Sequence, residues 1–383
     1  MSSLAGMGLR MAMVAGEASG DLLAALLIGG LRRRWPDLAL SGIGGPQMAR
    51  AGFENWWPSD RLAVRGYVEV LRHYRGISAI REQLARRLIA QPPGLFIGVD
   101  APDFNLGLAQ RLRAAGIPTV HFVCPSIWAW RGGRVRQLAR SADHVLCLFP
   151  FEPELLRAHG VQATYVGHPL ADVIPLNPPR AAAREALGLP EQAQVIALLP
   201  GSRRSEIETI APGMLDAAVR MRARRPGLRF VLPVAPGLRA LVEPMARGLP
   251  PEILRLVDGR SHEALAACDL ALVASGTATL EAALFKRPMV IVYRMHPLSW
   301  QLMKRMAYLP WVGLPNILSR DFVVPELIQD AFTPRALADA ACDRLDDVEG
   351  AQAVNRRFTE LHHLLRQDTA VRATDAIASQ IQA

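Results

Sequence analysis

The sequence predicts an α/β protein of two Rossmann-like halves, each a parallel sheet covered by helices on both faces. Three observations predict it. Short apolar runs alternate with amphipathic stretches, the pattern of a buried parallel sheet. The alternation is interrupted by a proline-rich stretch at 175–179 and then begins again. The chain has 383 residues, too long for one ordinary core and suited to two domains of about 150–200 residues.

Taken in order, the apolar runs at 10–15, 39–43, 95–100, 119–124, 144–149 and 164–166 read as strands of the first half. The amphipathic stretches at 21–34, 77–89, 106–115, 133–141 and 152–159 read as the helices between them. Prolines 175–179 form the natural linker. The second half repeats the pattern, with strands at 195–199, 229–234, 253–257, 270–274 and 289–293 and helices at 206–225, 238–247, 262–267 and 277–285. From 334 onward the chain is helical in character. The expected domains are 1–175, 176–355 and a helical tail, 356–383, that returns to the first domain or exchanges with a partner subunit. The two sheets should face a cleft, with ligands at the C-terminal ends of the strands.

Composition narrows the function classes. Half the residues are hydrophobic (50%) and 21% are charged, which is globular. The longest uncharged apolar runs, such as 22–31, reach about ten residues, whereas a spanning helix needs roughly 20. No transmembrane segment is expected, and Glu17 and Asp21 interrupt the only stretch resembling a signal peptide. Cys124, Cys147, Cys268 and Cys342 form no CxxC pair and no ligand spacing. They read as small buried residues of a reduced, cytosolic protein without a zinc site. The net charge of +9 comes almost entirely from arginine, with Lys286 and Lys304 the only lysines. That favours anionic partners. No basic run carries the aromatic pattern of an RNA-binding sheet, so nucleic acid is not expected.

Five segments could carry chemistry. At 195–206 an apolar strand ends in Pro200-Gly201-Ser202-Arg203 and a helix follows. Such a turn presents backbone N–H groups and positive dipole to an anion. Arg203 adds a planar fork suited to a diphosphate, its other use being a salt bridge to Glu206 or Glu208. At 274–281 a strand again ends in small residues, Ser275-Gly276-Thr277-Ala278, and opens a helix that can take a phosphate. Glu281, one turn further in, could accept from two ribose hydroxyls or simply complement the helix dipole.

In the first half, Gly16-Glu17-Ala18-Ser19-Gly20-Asp21 follows the first strand but lacks the dinucleotide fingerprint. Its carboxylates would repel a pyrophosphate and suit sugar hydroxyls, unless Ser19 or Asp21 only caps the helix. Asp100 ends a strongly apolar strand, where partial desolvation would raise its pKa and make it a usable general base. A capping or turn role is the alternative for Asp100, and Asp103 or Asn105 is expected to cap the following helix. Finally, Ser126, Trp128 and Trp130 could line a sugar or acyl pocket. Arg134, Arg136 and Arg140 beyond them could hold a phosphate or form a solvated face.

In their order along the chain, the segments 14–21, 98–105, 126–131, 198–203 and 274–281, with Leu314-Pro315-Asn316, resemble the lipid-A-disaccharide synthase family over about residues 9–370. The resemblance implies a GT-B glycosyltransferase whose C-terminal domain holds the UDP-sugar. It implies transfer of 2,3-diacylglucosamine from UDP-2,3-diacylglucosamine to 2,3-diacylglucosamine 1-phosphate, with a β-1′,6 linkage and release of UDP. It implies no cofactor and no metal, and action in the cytosol of Gram-negative bacteria, peripherally at the inner membrane face. A homodimer with an exchanged C-terminus is compatible with it. For the residues it implies that Asp100 takes the acceptor proton, and that Arg203 and two helix N-termini stabilise the departing UDP. The UDP site would comprise Gly201, Ser202, Arg203, Gly276, Thr277, Ala278 and Glu281. Asn316 would orient a substrate hydroxyl or phosphate, and Glu17 would lie near the sugar. Another GT-B enzyme acting on UDP-GlcNAc, an epimerase or the peptidoglycan GlcNAc transferase, would share the fold and Glu281. Segments 98–105 and 126–131 argue against it. A non-catalytic lipid- or nucleotide-binding membrane protein would have no use for Asp100, and an oxidoreductase would need the missing glycine fingerprint.

Acylated substrates require contact with the bilayer. In 62–80, Val64, Tyr67, Val68, Leu71, Tyr74 and Ile77 alternate with arginines, which suits either an interfacial segment on anionic lipid or a core-packed helix. Arg65 precedes Gly66, where an apolar residue is familiar in the family.

Overall fold

The computed structural model describes residues 8–16, 18–59, 62, 67–129, 132–306 and 308–382. Two compact units emerge, Met1–Asp172 with Leu365–Ala383, and Val173–Leu364.

The sheet of the first unit contains β1 (Arg10–Ala15), β2 (Ala39–Gly44), β3 (Glu54–Pro58), β4 (Leu95–Val99), β5 (Thr119–Phe122), β6 (His144–Cys147) and β7 (Ala163–Tyr165). Their order is β3-β2-β1-β4-β5-β6-β7, with every neighbouring pair parallel. β3 was not expected. As a half-exposed edge strand reading Glu-Asn-Trp-Trp-Pro, it has no apolar run to announce it. Several expected strands end early, among them the one expected at 144–149, which is β6 and stops at Cys147. β4 stops at Val99 because Asp100 and Ala101 turn left-handed, and β5 stops at Phe122 because Val123 does (φ 81°). The helix expected at 77–89 begins at Tyr67 and runs to Ala90. The side chains at 67–75 and residues 63–66 lie outside the described residues, whereas Leu62, Ile77 and Ile80 of the same segment are half-buried and pack on the core of the unit, so for Ile77 the core-packed alternative holds. The last helix, Thr369–Gln382, packs on helix Ala18–Arg34 of the same chain. Gly30 permits the approach, since a Cβ there would fall 2.6 Å from the Ala370 carbonyl oxygen, and Arg34 pairs with Asp375 at 2.8 Å.

The second unit contains β8 (Val195–Leu199), β9 (Arg229–Val234), β10 (Leu254–Asp258), β11 (Leu270–Ala274), β12 (Met289–Tyr293) and β13 (Glu326–Ile328), in the order β10-β9-β8-β11-β12-β13. β8 and β11 are buried throughout. Ile196, Leu198, Phe230 and Leu272 from the sheet pack against Ile210 and Met214 of helix Arg204–Arg224 and Leu337 of helix Pro334–Asp346. β13, a three-residue edge strand, also escaped the sequence pattern.

Strand order decides where ligands meet such sheets. In the first unit the chain winds from β1 to β3 on one side, then crosses to β4 on the other. In the second it winds from β8 to β10, then crosses to β11. The loops after β1 and β4, and after β8 and β11, therefore flank the two topological switch points, the binding positions of open parallel sheets.

Candidate active site

At the first switch point β4 delivers Asp100. The strand is buried at every residue, and the chain leaves it through two consecutive left-handed residues, Asp100 (φ 48°) and Ala101 (φ 42°). That conformation is costly for any residue with a Cβ. Asp100 is half-buried, and its N–H donates to the Phe122 carbonyl at 2.9 Å, tying the turn to β5. The loop after β1 touches this turn. A Cβ on Gly16 would fall 2.8 Å from that of Ala101, and one on Gly20 would fall 3.9 Å from that of Asp100. Glu17 lies outside the described residues.

Three expectations about this region need correction. Asp21 neither caps its own helix nor faces a sugar. It is 3% exposed, and its carboxylate accepts from the N–H groups of Gly45 (2.9 Å), Gln47 (2.9 Å) and Met48 (3.0 Å), capping the short helix Pro46–Arg50. Asn105 does not cap the helix that follows Asp100. That helix, Pro102–Ala114, starts without a side-chain cap, and Asn105 is buried beneath the turn instead. Asp103 faces outward and pairs with Arg134, which is largely buried and so does not fit the solvated face, one of the two readings given to it.

The loop after β5 is held by a residue that sequence reasoning missed. Glu152 is 1% exposed; its Oε1 accepts from Trp128 Nε1 at 3.0 Å and its Oε2 from the Phe149 N–H at 3.0 Å. Trp128 stands edge-on to Phe149 and Phe151. Burial pushes the Glu152 carboxyl up to about 8, against those two hydrogen bonds. The signal available was a glutamate directly after Phe149-Pro150-Phe151 in an apolar context. Trp130 and Arg131 lie outside the described residues.

At the second switch point, Pro200-Gly201-Ser202 turns from β8 into helix Arg204–Arg224. The turn closes on Glu206. Its Oε2 accepts from the N–H groups of Ser202 (3.0 Å) and Arg203 (3.3 Å), and its Oε1 accepts from the Arg203 guanidinium at 2.6 Å. The ion pair with Glu206, weighed as an alternative for Arg203, is therefore present, and two N–H groups expected to face a phosphate serve the chain's own carboxylate. Arg203 remains 42% exposed. Gly201, at φ 124°, makes the closure possible, because a Cβ there would fall 2.5 Å from Glu206 Oε2.

Beside it, helix Thr277–Leu284 opens from Gly276 with no side-chain cap, and Gly276 and Thr277 are exposed. This N-terminus keeps its dipole toward solvent, as an anion requires. Ala278 is half-buried in its first turn. Glu281 is 17% exposed; burial raises its carboxyl above the usual range, while His262 Nε2, 3.7 Å away, pulls the other way.

A third loop completes this end of the sheet. Ser275 Oγ donates to the Val312 carbonyl at 3.0 Å, and Thr279 Oγ1 accepts from the Leu314 N–H at 3.3 Å. Glu326 on β13 accepts from the N–H groups of Val312 and Gly313, each at 2.9 Å, and from Asn316 Nδ2 at 2.9 Å. Asn316 is fully buried; its Nδ2 also donates to the Val324 carbonyl (2.9 Å) and its Oδ1 accepts from the Val324 N–H (3.0 Å). Its amide is spent on the chain itself, so the expectation that it orients a ligand directly gives way to a supporting place under loop 312–316. Among the described residues no cluster of three or more His, Cys, Asp or Glu has the arrangement of a metal site.

Comparison with known proteins follows the same lines. A family model described as "Lipid-A-disaccharide synthetase" matches residues 11–381. The lipid-A-disaccharide synthase of Verminephrobacter eiseniae is 60% identical over 375 residues, covering 96% of each chain. Among solved structures, the UDP-GlcNAc 2-epimerase of Neisseria meningitidis aligns with a TM-score of 0.66 at 10% identity, covering 98% of this chain and 100% of its own. MurG of Acinetobacter baumannii aligns with a TM-score of 0.58 at 14% identity, covering 97% and 100%. At those identities the two structures speak for the fold alone, which is GT-B.

Proposed function

This chain belongs to the lipid-A-disaccharide synthetase family, and we propose from that premise how its residues divide the work. The enzyme is an inverting glycosyltransferase. It moves 2,3-diacylglucosamine from UDP to the 6-hydroxyl of 2,3-diacylglucosamine 1-phosphate and releases UDP. The acceptor oxygen forms a bond to the anomeric carbon on the face opposite the diphosphate. The anomeric carbon–phosphate oxygen bond breaks, its electron pair leaves on UDP, and the acceptor proton passes to a base.

Asp100 is that base. Its supporting observation is its place at the C-terminal end of a buried central strand, at a switch point. UDP departs with developing negative charge, which fixed positive groups stabilise. Arg203, held by Glu206, and the uncapped N-terminus at Gly276, Thr277 and Ala278 supply them. Glu281 accepts from the ribose hydroxyls. Asn316 acts through loop 312–316, and Glu17 lies near the transferred sugar. In this division 1–175 takes the acceptor and faces the membrane, while 176–355 holds UDP.

The test is UDP release from the acylated donor and acceptor. Asp100→Asn should lower kcat about 10³-fold and Arg203→Ala about 10²-fold with folding intact. No UDP release from the acylated pair, or near-normal turnover by Asp100→Asn, would overturn the reading. Both substrates are acylated, and no helix among the described residues is long and apolar enough to cross a membrane. The protein therefore works peripherally on the cytoplasmic face of the inner membrane, through segment 62–80. Serine at Val68, Leu71 and Tyr74 should abolish flotation with anionic liposomes, and unchanged flotation would remove the segment from that role. Sedimentation distinguishes a monomer that keeps its C-terminal helix from a homodimer that exchanges it.

A further inference from the structure

We propose that Asn105 is a positioning residue for Asp100: its buried amide clamps the Asp100–Ala101 turn in the left-handed region and so aims the carboxylate. The inference rests on the reading of Asp100 as the base.

Two adjacent left-handed residues that both carry a Cβ persist only where the surroundings impose them. The hydrogen bonds show what imposes them here. Asn105 is 0% exposed, and its Nδ2 lies 3.2 Å from the Val14 carbonyl, 3.3 Å from that of Val99 and 2.8 Å from that of Asp100. Val14 is paired with Gly98 one residue before the end of the β1–β4 ladder, Val99 is the last residue of β4, and Asp100 lies just past it. A buried carbonyl without a donor is expensive, and the amide supplies one where the ladder runs out. The shortest contact is to the carbonyl of Asp100 itself, so the amide holds the very peptide whose rotation sets the direction of the Asp100 side chain.

The residue type follows from the site. Three carbonyl oxygens converge on the amide, which supplies two hydrogens that can be shared among them. Aspartate would supply none, and serine one. Glutamine is longer, and the space is already set by Gly98, where a Cβ would fall 3.1 Å from Asn105 Cβ and 3.2 Å from both Asn105 Cγ and His121 Nδ1. Gly98 thus lets Asn105 lie flat across the strand. His121, 2% exposed on β5, walls the far side, and burial lowers its pKa to about 4, so it brings no charge to the bracket at neutral pH. Turning the amide over would set Oδ1 against three carbonyl oxygens, which fixes its orientation. The helix gains nothing from this side chain, because helix Pro102–Ala114 has no side-chain cap.

The experiment is a double-mutant cycle on the full-length enzyme, with Asn105→Ala and Asn105→Ser each made in the wild type and in Asp100→Asn. A misaimed base costs roughly 10²-fold in kcat, so Asn105→Ala should lose about that much, and Asn105→Ser less. The UDP dissociation constant should stay within about twofold, since UDP is held by the other unit. In the Asp100→Asn background the further loss should be under about threefold, because a residue that acts only through Asp100 has nothing left to aim. An equal loss in both backgrounds, or one accompanied by about tenfold weaker UDP binding, would assign Asn105 to folding and overturn the proposal. Near wild-type turnover by Asp100→Asn would instead overturn the base assignment, so the two failures are distinct. If Asn105→Ala yields no folded protein, the Asn105→Ser pair decides the cycle by the same criteria.

Discussion

Alanine at Gly201 tests whether the turn after β8 is built around Glu206. Gly201 sits at φ 124°, where an L side chain is strained by about 1–3 kcal/mol. The new Cβ would also stand 2.5 Å from Glu206 Oε2 and 2.6 Å from Glu206 Cβ, so the carboxylate must leave. It then gives up the N–H groups of Ser202 and Arg203 and the Arg203 guanidinium. Ser202 and Arg203 are exposed, so water replaces the lost partner. An exposed ion pair of this kind contributes only about 0–1 kcal/mol. The total cost is then about 1–4 kcal/mol, most of it backbone strain. For a unit of this size each kcal/mol lowers the melting midpoint by about 2–4 °C, so a fall of roughly 2–16 °C is expected for the second unit. Calorimetry with and without UDP measures it. UDP affinity should fall roughly tenfold as well, because Arg203 loses its anchor. Glu206→Gly removes both the carboxylate and the Cβ that the new methyl would meet but leaves the strained φ, so in that background Gly201→Ala should cost less. A shift below about 2 °C, or an equal shift with and without Glu206, would refute the reasoning.

Other outcomes follow from single contacts. Glu152 titrates at about 8 in the folded chain against an ordinary 4.5, so the unfolded chain releases its proton first and stability falls as pH rises between those values. His121 and His168, both lowered to about 4 from 6.5, are destabilising only as pH falls below 6.5. Between pH 6.5 and 8 the two histidines are silent, and the Glu152 slope, up to about 1.4 kcal/mol per pH unit, adds to that of Glu281, which burial raises in the same direction. Thermal midpoints across that range should decline for the wild type and less steeply for Glu152→Gln; a flat wild-type profile would refute the shift. Asp21→Ala leaves three N–H groups without their acceptor and should cost about 1–2 kcal/mol in urea unfolding while kcat of the folded enzyme stays near normal; a large loss of kcat would return Asp21 to the sugar. Asn316→Ala removes three hydrogen bonds under loop 312–316 and should raise the donor KM more than it lowers kcat, the reverse split pointing to direct contact with the reacting groups.

How much of this was legible in the sequence depends on how far away each residue's partner lies. The buried strands β1, β4, β8 and β11 announced themselves because both faces are covered and the sequence must be apolar throughout. The half-exposed edges β3 and β13 did not, since one face demands nothing apolar. Asp21 looked like a cap and is one, but of a helix beginning at Pro46, a pairing that only β2 lying beside β1 creates. Strand order is equally invisible, because a crossover reads the same whichever side of the sheet it takes. Strand order is what makes the ends of β4 and β8 functional positions.

With that order in hand, the two switch points use one device with opposite polarity. In each, a side chain from the first turn of the outgoing helix reaches back to the turn that precedes it. Asn105 donates to carbonyls, because Asp100 and Ala101 in left-handed conformation rotate those carbonyls inward. Glu206 accepts from N–H groups, because Gly201 at φ 124° leaves room for its carboxylate against the turn. The polarity of the clamp fixes what the tip of the turn can carry at low cost. A turn tied by a neutral amide adds no charge of its own beside the carboxylate of Asp100, the base of the proposed reaction. A turn tied by a carboxylate favours a cation at its tip, and Arg203 stands there, paired yet still exposed. General base on one unit and anion-stabilising cation on the other is the division of charge that inverting transfer from a nucleotide requires. In the first unit the clamp is a residue that the sequence pattern offered as a helix cap, and in the second it is the glutamate that the sequence already offered as a partner for Arg203.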